Sequence, residues 1–182
     1  MKMLKAWLAV LGLAFSLNAF AQYPAAGGDD KYQPRLGQEG KDVIWMPTGG
    51  ELVTLMLKTA KVTPNDLVYD LGAGDGKIAI AAAKEFGAKA VGIEYNKDMA
   101  AYAQRNANQS GVGHLVKIIN GDIFVEDFSK ATVITLYLLP DLNIKLRPTI
   151  LKMKPGTRVV SHAFTMGDWE ADKEIGTDAN AY

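Results

Sequence analysis

Two kinds of apolar segment alternate along the chain. Short runs rich in Val, Ile and Leu occur at residues 67–71, 89–94, 115–120, 131–138 and 157–164. Between them, apolar residues recur at helical spacing at 52–60, 77–86, 97–109 and 141–153. Short buried strands separated by helices are typical of βαβ units in a mostly parallel sheet. The pattern therefore predicts an α/β fold of the doubly wound type, whose ligand site lies beyond the carboxyl ends of the strands.

Local signals place the predicted helix boundaries. Thr48 and Glu51 form a capping-box pattern at the start of the first helix. Asn96 is a favourable N-cap for a later helix. Pro148 lies inside the last helical segment, so we expect that helix to break there.

The first 21 residues have the pattern of a secretory signal peptide. Lys2 and Lys5 form a positive n-region, residues 6–15 are apolar, and Ala19-Phe20-Ala21 fits a signal peptidase site before Gln22. A membrane anchor is the alternative, but spanning a bilayer takes about 20 apolar residues and this run is interrupted earlier. We therefore expect a periplasmic or secreted protein with no stable membrane span after cleavage.

The mature chain is expected to have one domain after a flexible segment. Residues 22–42 are rich in glycine, proline and aspartate and hold few large apolar residues. Such a segment cannot bury enough surface to offset the entropy of ordering it. Residues 43–182 then form a single domain of ordinary size.

The composition of the chain excludes several kinds of partner and catalytic site. The chain has 20 Lys and Arg against 20 Asp and Glu, and removal of residues 1–21 leaves 18 basic residues and a net charge of −2. A protein that coats nucleic acid needs a basic excess, so no nucleic acid partner is expected. The absence of cysteine excludes disulfides, thiolate zinc sites and a cysteine nucleophile. With only two histidines, no metal site is expected either.

A glycine-rich turn, Asp70-Leu71-Gly72-Ala73-Gly74-Asp75-Gly76, follows the first predicted strand and precedes a helix. Its glycines let a ligand approach the backbone closely, and Glu94 ends the next strand, where it can meet a ribose diol. A dinucleotide fingerprint would place its third glycine at position 77, which is Lys77. The two aspartates of the turn repel a pyrophosphate and suit a cationic ligand. S-adenosylmethionine is cationic and has no phosphate, so the charge favours it over NAD.

Together with Gly92-Ile93-Glu94 and Gly121-Asp122-Ile123, this turn resembles the first motifs of class I S-adenosylmethionine-dependent methyltransferases. The resemblance covers about Trp45 to Trp169 and implies a Rossmann-like sheet of seven strands. It also implies the cofactor-binding residues: Asp70, Gly72, Gly74 and Asp75 at the methionine end, Glu94 on the ribose, Tyr95 beside the adenine, and Asp122 and Ile123 at the adenine edge.

A narrower resemblance concerns Trp45-Met46-Pro47-Thr48, Tyr137-Leu138-Leu139-Pro140 and residues 158–164. These segments are similar to a subgroup that includes archaeal and mitochondrial protein-lysine methyltransferases and bacterial members with signal peptides. The resemblance implies that Trp45, Pro47 and Thr48 face the cofactor or the substrate. It places Tyr137 and Pro140 in the acceptor pocket.

The acceptor implied by this resemblance is an amine, such as a protein lysine. Enzymes that methylate planar amides or adenine amino groups resemble Asn/Asp-Pro-Pro-aromatic after the fourth strand, where this chain has Leu138-Leu139-Pro140. A small-molecule acceptor stays open. Two other functions also stay open: a catalytically silent exported binding protein of the same fold, and an NAD-dependent oxidoreductase.

The end of the domain departs from the family pattern. Residues 172–176 are expected to begin a sixth strand, and no sequence remains for a seventh before Tyr182. The predicted sheet is therefore short of its last strand, and the domain is expected to be incomplete or shortened at its carboxyl end.

Overall fold

The structure, a computed structural model, describes residues 31–176. The predicted signal peptide, residues 1–21, lies outside the described residues, as does the first part of the segment 22–42. In the part of that segment which is described, Tyr32 packs edge-on against Tyr102, with 6.2 Å between ring centroids. Within residues 31–176, no helix is both long enough and apolar enough to cross a membrane.

Four helices and five strands alternate along the described chain. They are α1 (Gly50–Thr59), β1 (Leu67–Leu71), α2 (Lys77–Phe86), β2 (Lys89–Glu94), α3 (Lys97–Gln109), β3 (Val116–Asn120), β4 (Val133–Leu136), α4 (Pro140–Ile150) and β5 (Arg158–Ser161). The order matches the predicted alternation. The predicted bounds of α2 and β2 are the observed ones, because a glycine or a charged residue ends each of these segments.

All neighbouring strands pair in parallel, in the order β3-β2-β1-β4-β5. From β1 the chain builds outward through β2 to β3, and it then returns to place β4 on the other side of β1. Chain connections leave β1 and β4 in opposite directions, so a crevice opens between their carboxyl ends. This topology confirms the predicted doubly wound, Rossmann-like sheet, with five strands within residues 31–176.

Apolar side chains cover both faces of the sheet. On one face, Val68, Ala90, Val116 and Val133 pack against α1, α2 and α3. On the other face, Leu71, Ile93, Ile134 and Leu136 pack against α4 and Phe128. Successive strand residues point to opposite faces, so the uninterrupted apolar runs of the sequence serve both layers. This burial holds the strand ends, and the loops that follow them, in fixed positions.

Three sequence predictions about the elements are wrong. Thr48 does not cap α1: the N-cap is Gly49, with no side-chain cap, and Thr48 is buried. The last helix does not break at Pro148, since only two residues of α4 follow it and little of the helical ladder is lost. Residues 172–176 form no strand; all five are exposed and three of them are charged.

Candidate functional site

A cavity lies at the carboxyl ends of β1, β2 and β4, in the crevice that the topology opens. Its wall contains all ten residues predicted to bind the cofactor, which are Trp45, Thr48, Asp70, Gly72, Gly74, Asp75, Glu94, Tyr95, Asp122 and Ile123. Tyr137, predicted for the acceptor pocket, also lines it. Pro140 does not line this cavity; it is exposed as the first residue of α4.

The glycine-rich turn forms the floor of the cavity with a backbone that disfavours side chains. Gly72 and Gly74 have φ of 85° and 54°. A Cβ on Gly74 would lie 2.6 Å from the Trp45 Nε1, and one on Gly72 would lie 3.0 Å from a Leu138 methyl group. The turn is thus a bare backbone surface with room for a ligand only while both residues are glycine.

Asp70 is the last residue but one of β1 and is 2% exposed. Its Oδ1 accepts a hydrogen bond from Thr135 Oγ1 at 2.8 Å. Burial raises the pKa of Asp70 to about 7, against the effect of Thr135, and the carboxylates of Asp75 and Glu94 add to the rise. The methionine end of the predicted site therefore concentrates negative charge where a cationic ligand would relieve it.

Glu94 connects the glycine turn to the loop after β2. Its Oε2 accepts a hydrogen bond from the Gly74 N–H and its Oε1 accepts one from the Asn96 N–H, each at 2.9 Å. Burial raises the pKa of Glu94, although these backbone donors act in the opposite direction. The carboxylate that was predicted to bind a ribose is therefore also a structural link, held at the edge of the cavity.

The third part of the cavity is built around Asp122. Lys41 donates a hydrogen bond to Asp122 Oδ2 at 2.7 Å, and the Phe124 N–H donates to Oδ1 at 2.9 Å. The Lys41 ammonium lies 5.1 Å from the centre of the Tyr95 ring. Hydrogen bonding to Lys41 lowers the pKa of Asp122. The aromatic ring and the carboxylate predicted for the adenine thus lie together, with Lys41 between them.

Residues 38–48, which we call the strap, cross the cavity before α1. Lys41 attaches one end of the strap to Asp122 through the hydrogen bond between their side chains. At the other end, Lys77 Nζ donates to the Thr48 carbonyl at 2.9 Å. Between them, Trp45 lies against the glycine turn. The strap therefore forms the outer wall of the cavity.

Aromatic rings flank the cavity on the β4 side. The centre of the Tyr137 ring lies 4.1 Å from that of His162 and 6.0 Å from that of Phe164. His162 follows β5, and its Nδ1 is buried with no hydrogen-bond partner in the described part of the chain. Leu138 and Leu142 complete an apolar corner beside Tyr137.

Sequence reasoning missed two cations of the cavity wall, Lys41 and Lys77. Lys41 lies in a segment whose composition indicated flexibility, and its partner Asp122 is 81 residues away. No local pattern reveals such a contact. In the sequence, Lys77 stands out only as the residue that interrupts a dinucleotide fingerprint. Its place directly after the glycine turn was a usable signal, because the first residue of that helix borders the ligand site.

The family model described as the ANTKMT methyltransferase domain matches residues 70–173, more than half of the chain. The chain belongs to this family. The matched region runs from Asp70 past the end of β5, so it contains the glycine turn, Glu94, Asp122 and Tyr137. The predicted class I S-adenosylmethionine-dependent methyltransferase is thereby confirmed, and the NAD-dependent alternative is wrong.

Named relatives agree with the family. A protein-lysine N-methyltransferase of Saccharolobus islandicus is 45% identical over 135 residues, which cover 73% of this chain and 84% of that protein. A lysine N-methyltransferase of Xenopus laevis, named for an ATP synthase component, is 32% identical over 60% of this chain, but the match spans only 49% of that longer protein.

One solved structure is similar in both sequence and fold. It is named an RNA methyltransferase from Salinibacter ruber and was solved in complex with S-adenosyl-L-homocysteine. The two chains are 47% identical with a TM-score of 0.72, and the match covers 74% of this chain and 88% of the other. The names of the two relatives state a lysine acceptor, whereas the name of this solved structure states RNA.

The residues of this methyltransferase domain fit S-adenosylmethionine by their own chemistry. The glycine turn presents bare backbone to the cavity, where a Cβ would clash with Trp45 or Leu138, and Asp70 is a buried carboxylate whose hydrogen bond comes from the neutral hydroxyl of Thr135. A ligand with an ammonium and a sulfonium compensates that charge, whereas a pyrophosphate would add to it. Tyr95 is 54% exposed, so its ring is available to a planar base.

Replacement of Glu94 by alanine should weaken S-adenosylhomocysteine binding by about 1–3 kcal/mol, because charged hydrogen bonds to the ribose and to the Gly74 N–H are lost together. Titration calorimetry measures the effect. Circular dichroism should show an intact fold, since Glu94 is the last residue of β2. Glu51→Ala, an exposed change on α1, is the control. An affinity equal to that of the wild type would remove Glu94 from the site.

Cofactor affinity should depend on the protonation of Asp70, whose pKa is raised to about 7 by burial. The ammonium of the amino-acid end binds the ionised carboxyl, so binding below this pH requires release of a proton. We expect affinity for S-adenosylhomocysteine to rise with pH, by at most about tenfold per unit, and to level off near pH 7. Without ligand, the stability of the folded state depends on pH in the opposite direction. The folded state holds the Asp70 proton more tightly than the unfolded chain does, so the free energy of unfolding falls as Asp70 ionises.

Calorimetry between about pH 5.5 and 8 measures this dependence. Asp70→Asn should remove the part of the pH dependence that belongs to Asp70 and leave the contribution of Glu94, whose pKa is also raised by burial. An identical pH profile for the wild type and Asp70→Asn would show that Asp70 does not titrate with binding.

Proposed function

We propose that this protein transfers a methyl group from S-adenosylmethionine to the side-chain amine of a protein lysine. The carrying observation is the relative named a protein-lysine N-methyltransferase, which is 45% identical and of which 84% is matched. The apolar corner beside Tyr137 supports an amine acceptor independently. The bound cofactor supplies an activated methyl group on a sulfonium, and no metal is needed for that chemistry.

The acceptor side can favour the reactive form of a lysine. Leu138 is buried, and the Tyr137 ring lies against the rings of His162 and Phe164. An ammonium that enters such a corner loses hydration, and this lowers its pKa and favours the neutral amine with a free lone pair. The apolar corner beside Tyr137 can therefore favour deprotonation of an entering lysine by removing its hydration.

The rest of the site positions the reactants. The glycine turn and Glu94 are fixed to each other by the Gly74 N–H bond, and the strap covers the opening. Alignment of donor and acceptor, together with exclusion of water, accounts for most of the acceleration that this kind of displacement needs. Tyr137 bounds the space where the acceptor would enter.

The test uses the purified protein, labelled S-adenosylmethionine and a cell-envelope protein extract. Label recovered as methyllysine after hydrolysis, with a rate that rises with pH as the amine deprotonates, supports the proposal. Tyr137→Phe should lower the transfer rate more than cofactor affinity, because Tyr137 lies on the acceptor side. Tyr102→Phe, on α3 and outside the cavity wall, is the matched control.

Other outcomes identify other functions. Label in RNA, the acceptor named for the Salinibacter ruber neighbour, would overturn the lysine assignment. Cofactor binding without transfer to any cell fraction would indicate the catalytically silent binding protein. The balanced charge of the chain, 20 basic against 20 acidic residues, favours protein over RNA.

We also propose that the protein is exported, on the signal-peptide pattern of residues 1–21. Intact mass of protein recovered from a cell-envelope fraction should correspond to a chain that begins at Gln22. Ala21→Leu, which disturbs the small residue at the cleavage site, should leave the longer form. A recovered chain that still begins at Met1 would contradict export by cleavage.

A further inference from the structure

We propose that Lys77 binds the carboxylate of the cofactor's amino-acid end. The inference rests on the S-adenosylmethionine site proposed above and adds a residue to it. The amino-acid end of that cofactor carries an ammonium and a carboxylate, and the two need surroundings of opposite charge. Asp70, Asp75 and Glu94 suit the ammonium. The carboxylate, placed among the same three acids, needs a cation nearby.

Within the described residues, the cavity wall contains two cationic side chains, Lys41 and Lys77. Lys41 belongs to the opposite end of the cavity, where it donates to Asp122 and lies beside Tyr95. That end is the one suited to the adenine. Lys77 is therefore the cation left for the amino-acid end.

The position of Lys77 fits this role. It is the first residue of α2, directly after the glycine turn, at a helix N-terminus that favours negative charge, and its backbone N–H donates to Asp75 Oδ1 at 3.1 Å. Its side chain is 40% exposed, and its Nζ is 3.9 Å from Asp75 Oδ2. The ammonium thus lies at the cavity wall in a long contact with one carboxylate, and it has N–H groups left to donate.

Lys77 also connects the amino-acid end to the strap. Its Nζ donates to the Thr48 carbonyl at 2.9 Å, and an ammonium has three N–H groups. One of them can hold the strap while another holds the cofactor carboxylate. Binding of the amino-acid end and closure of the strap are then coupled through one side chain.

The experiment compares two ligands by titration calorimetry: S-adenosylhomocysteine, and its decarboxylated form, which keeps the adenosine and the ammonium. Lys77→Gln should weaken binding of the first about 10- to 100-fold, the range for a lost charged hydrogen bond. It should change binding of the second by less than about threefold. Lys77→Arg should restore most of the affinity for the first ligand, because it restores the charge. Lys84→Gln, an exposed change on the same helix, should change neither.

Each other outcome is decisive. If the wild type binds neither ligand, the proposed function fails. If the wild type binds S-adenosylhomocysteine and Lys77→Gln binds it equally well, only the role of Lys77 fails. An equal loss for both ligands means that Lys77 acts only through the strap, and this also overturns the assignment. If Lys77→Gln does not fold by circular dichroism, Lys77→Met, which keeps the apolar stem, replaces it in the same comparison.

Discussion

Replacement of Gly74 by valine should abolish binding of S-adenosylhomocysteine. Gly74 has a φ of 54°, where a β-branched residue is strained, and a Cβ there would lie 2.6 Å from the Trp45 Nε1. The side chain would occupy the floor of the cavity and push the strap away from the turn. We expect more than a 100-fold loss of affinity, roughly 3 kcal/mol or more, measured by calorimetry on a protein whose circular dichroism is normal.

Gly156→Val is the matched control for strain. Gly156 has a φ of 91°, but a Cβ there would meet nothing within 4 Å, and the residue lies outside the cavity wall. This variant should lose stability and keep its affinity. If Gly74→Val folds and binds within tenfold of the wild type, the glycine turn is not the cofactor site. If both variants lose affinity equally, backbone strain and not occupation of the cavity is the cause.

The layout of this fold could be predicted because its signals are local. Each strand is a short apolar run, and each of α2 and α3 is bounded by a glycine or by Asn96, whose side chain accepts hydrogen bonds from two backbone N–H groups of α3. Parallel strands in this order place their following loops at one edge. The glycine turn, Glu94 and Asp122 could therefore be assigned to one site before their contacts were known.

The family resemblance places Trp45 and Thr48 at the cofactor, but the attachments of the strap could not be predicted, because they are contacts between residues distant in sequence. Lys41 is fixed by Asp122, and Thr48 is fixed by Lys77. Neither pair produces a periodic pattern in the sequence. Contacts distant in sequence also explain why the predicted cap of α1 is wrong. Thr48 matches the capping pattern, but burial in the cavity wall and the bond from Lys77 to its carbonyl decide its place, so α1 begins after Gly49 without a side-chain cap.

Pro140 has different surroundings from Tyr137, although the two belong to one motif. The resemblance predicts that both lie in the acceptor pocket. In the structure the chain turns into α4 between them, so Tyr137 lines the cavity whereas Pro140 is exposed at the first helical position. Proline is favourable there because its missing N–H is not needed. A helix-starting role accounts for Pro140, and its predicted contact with an acceptor stays a prediction.

A second large effect is expected at the opposite end of the sheet from the cavity. Arg158 forms an ion pair with Asp66 and donates to the carbonyls of Ala60 and Lys61 at 2.8 and 2.9 Å. These carbonyls lie at the C-terminus of α1 and have no partner within the helix ladder. One side chain thus ties α1, β1 and β5 together.

Asp66 depends on this contact, because it is 7% exposed. Burial alone would raise its pKa, but hydrogen bonds from Thr132, Thr63 and Arg158 outweigh burial and lower the pKa below the usual value of an aspartate. The stability that Asp66 contributes is therefore present above the pKa of the unfolded chain and is lost as the pH falls through the lower, folded value.

Arg158→Ala should lower the free energy of unfolding by about 2–4 kcal/mol, since it leaves a buried carboxylate without its cation and two helix carbonyls without donors. The corresponding fall in Tm is roughly 5–15 °C. Denaturant unfolding at about pH 7 measures the loss, and Lys154→Ala, an exposed change on the preceding turn, is the control.

Affinity for S-adenosylhomocysteine should not change in the Arg158→Ala variant below its Tm, because the cavity is built at the other ends of the strands. A variant with wild-type stability would show that Asp66 is satisfied by its threonine hydrogen bonds alone, and a loss of affinity in a folded variant would show that the two ends of the sheet are coupled.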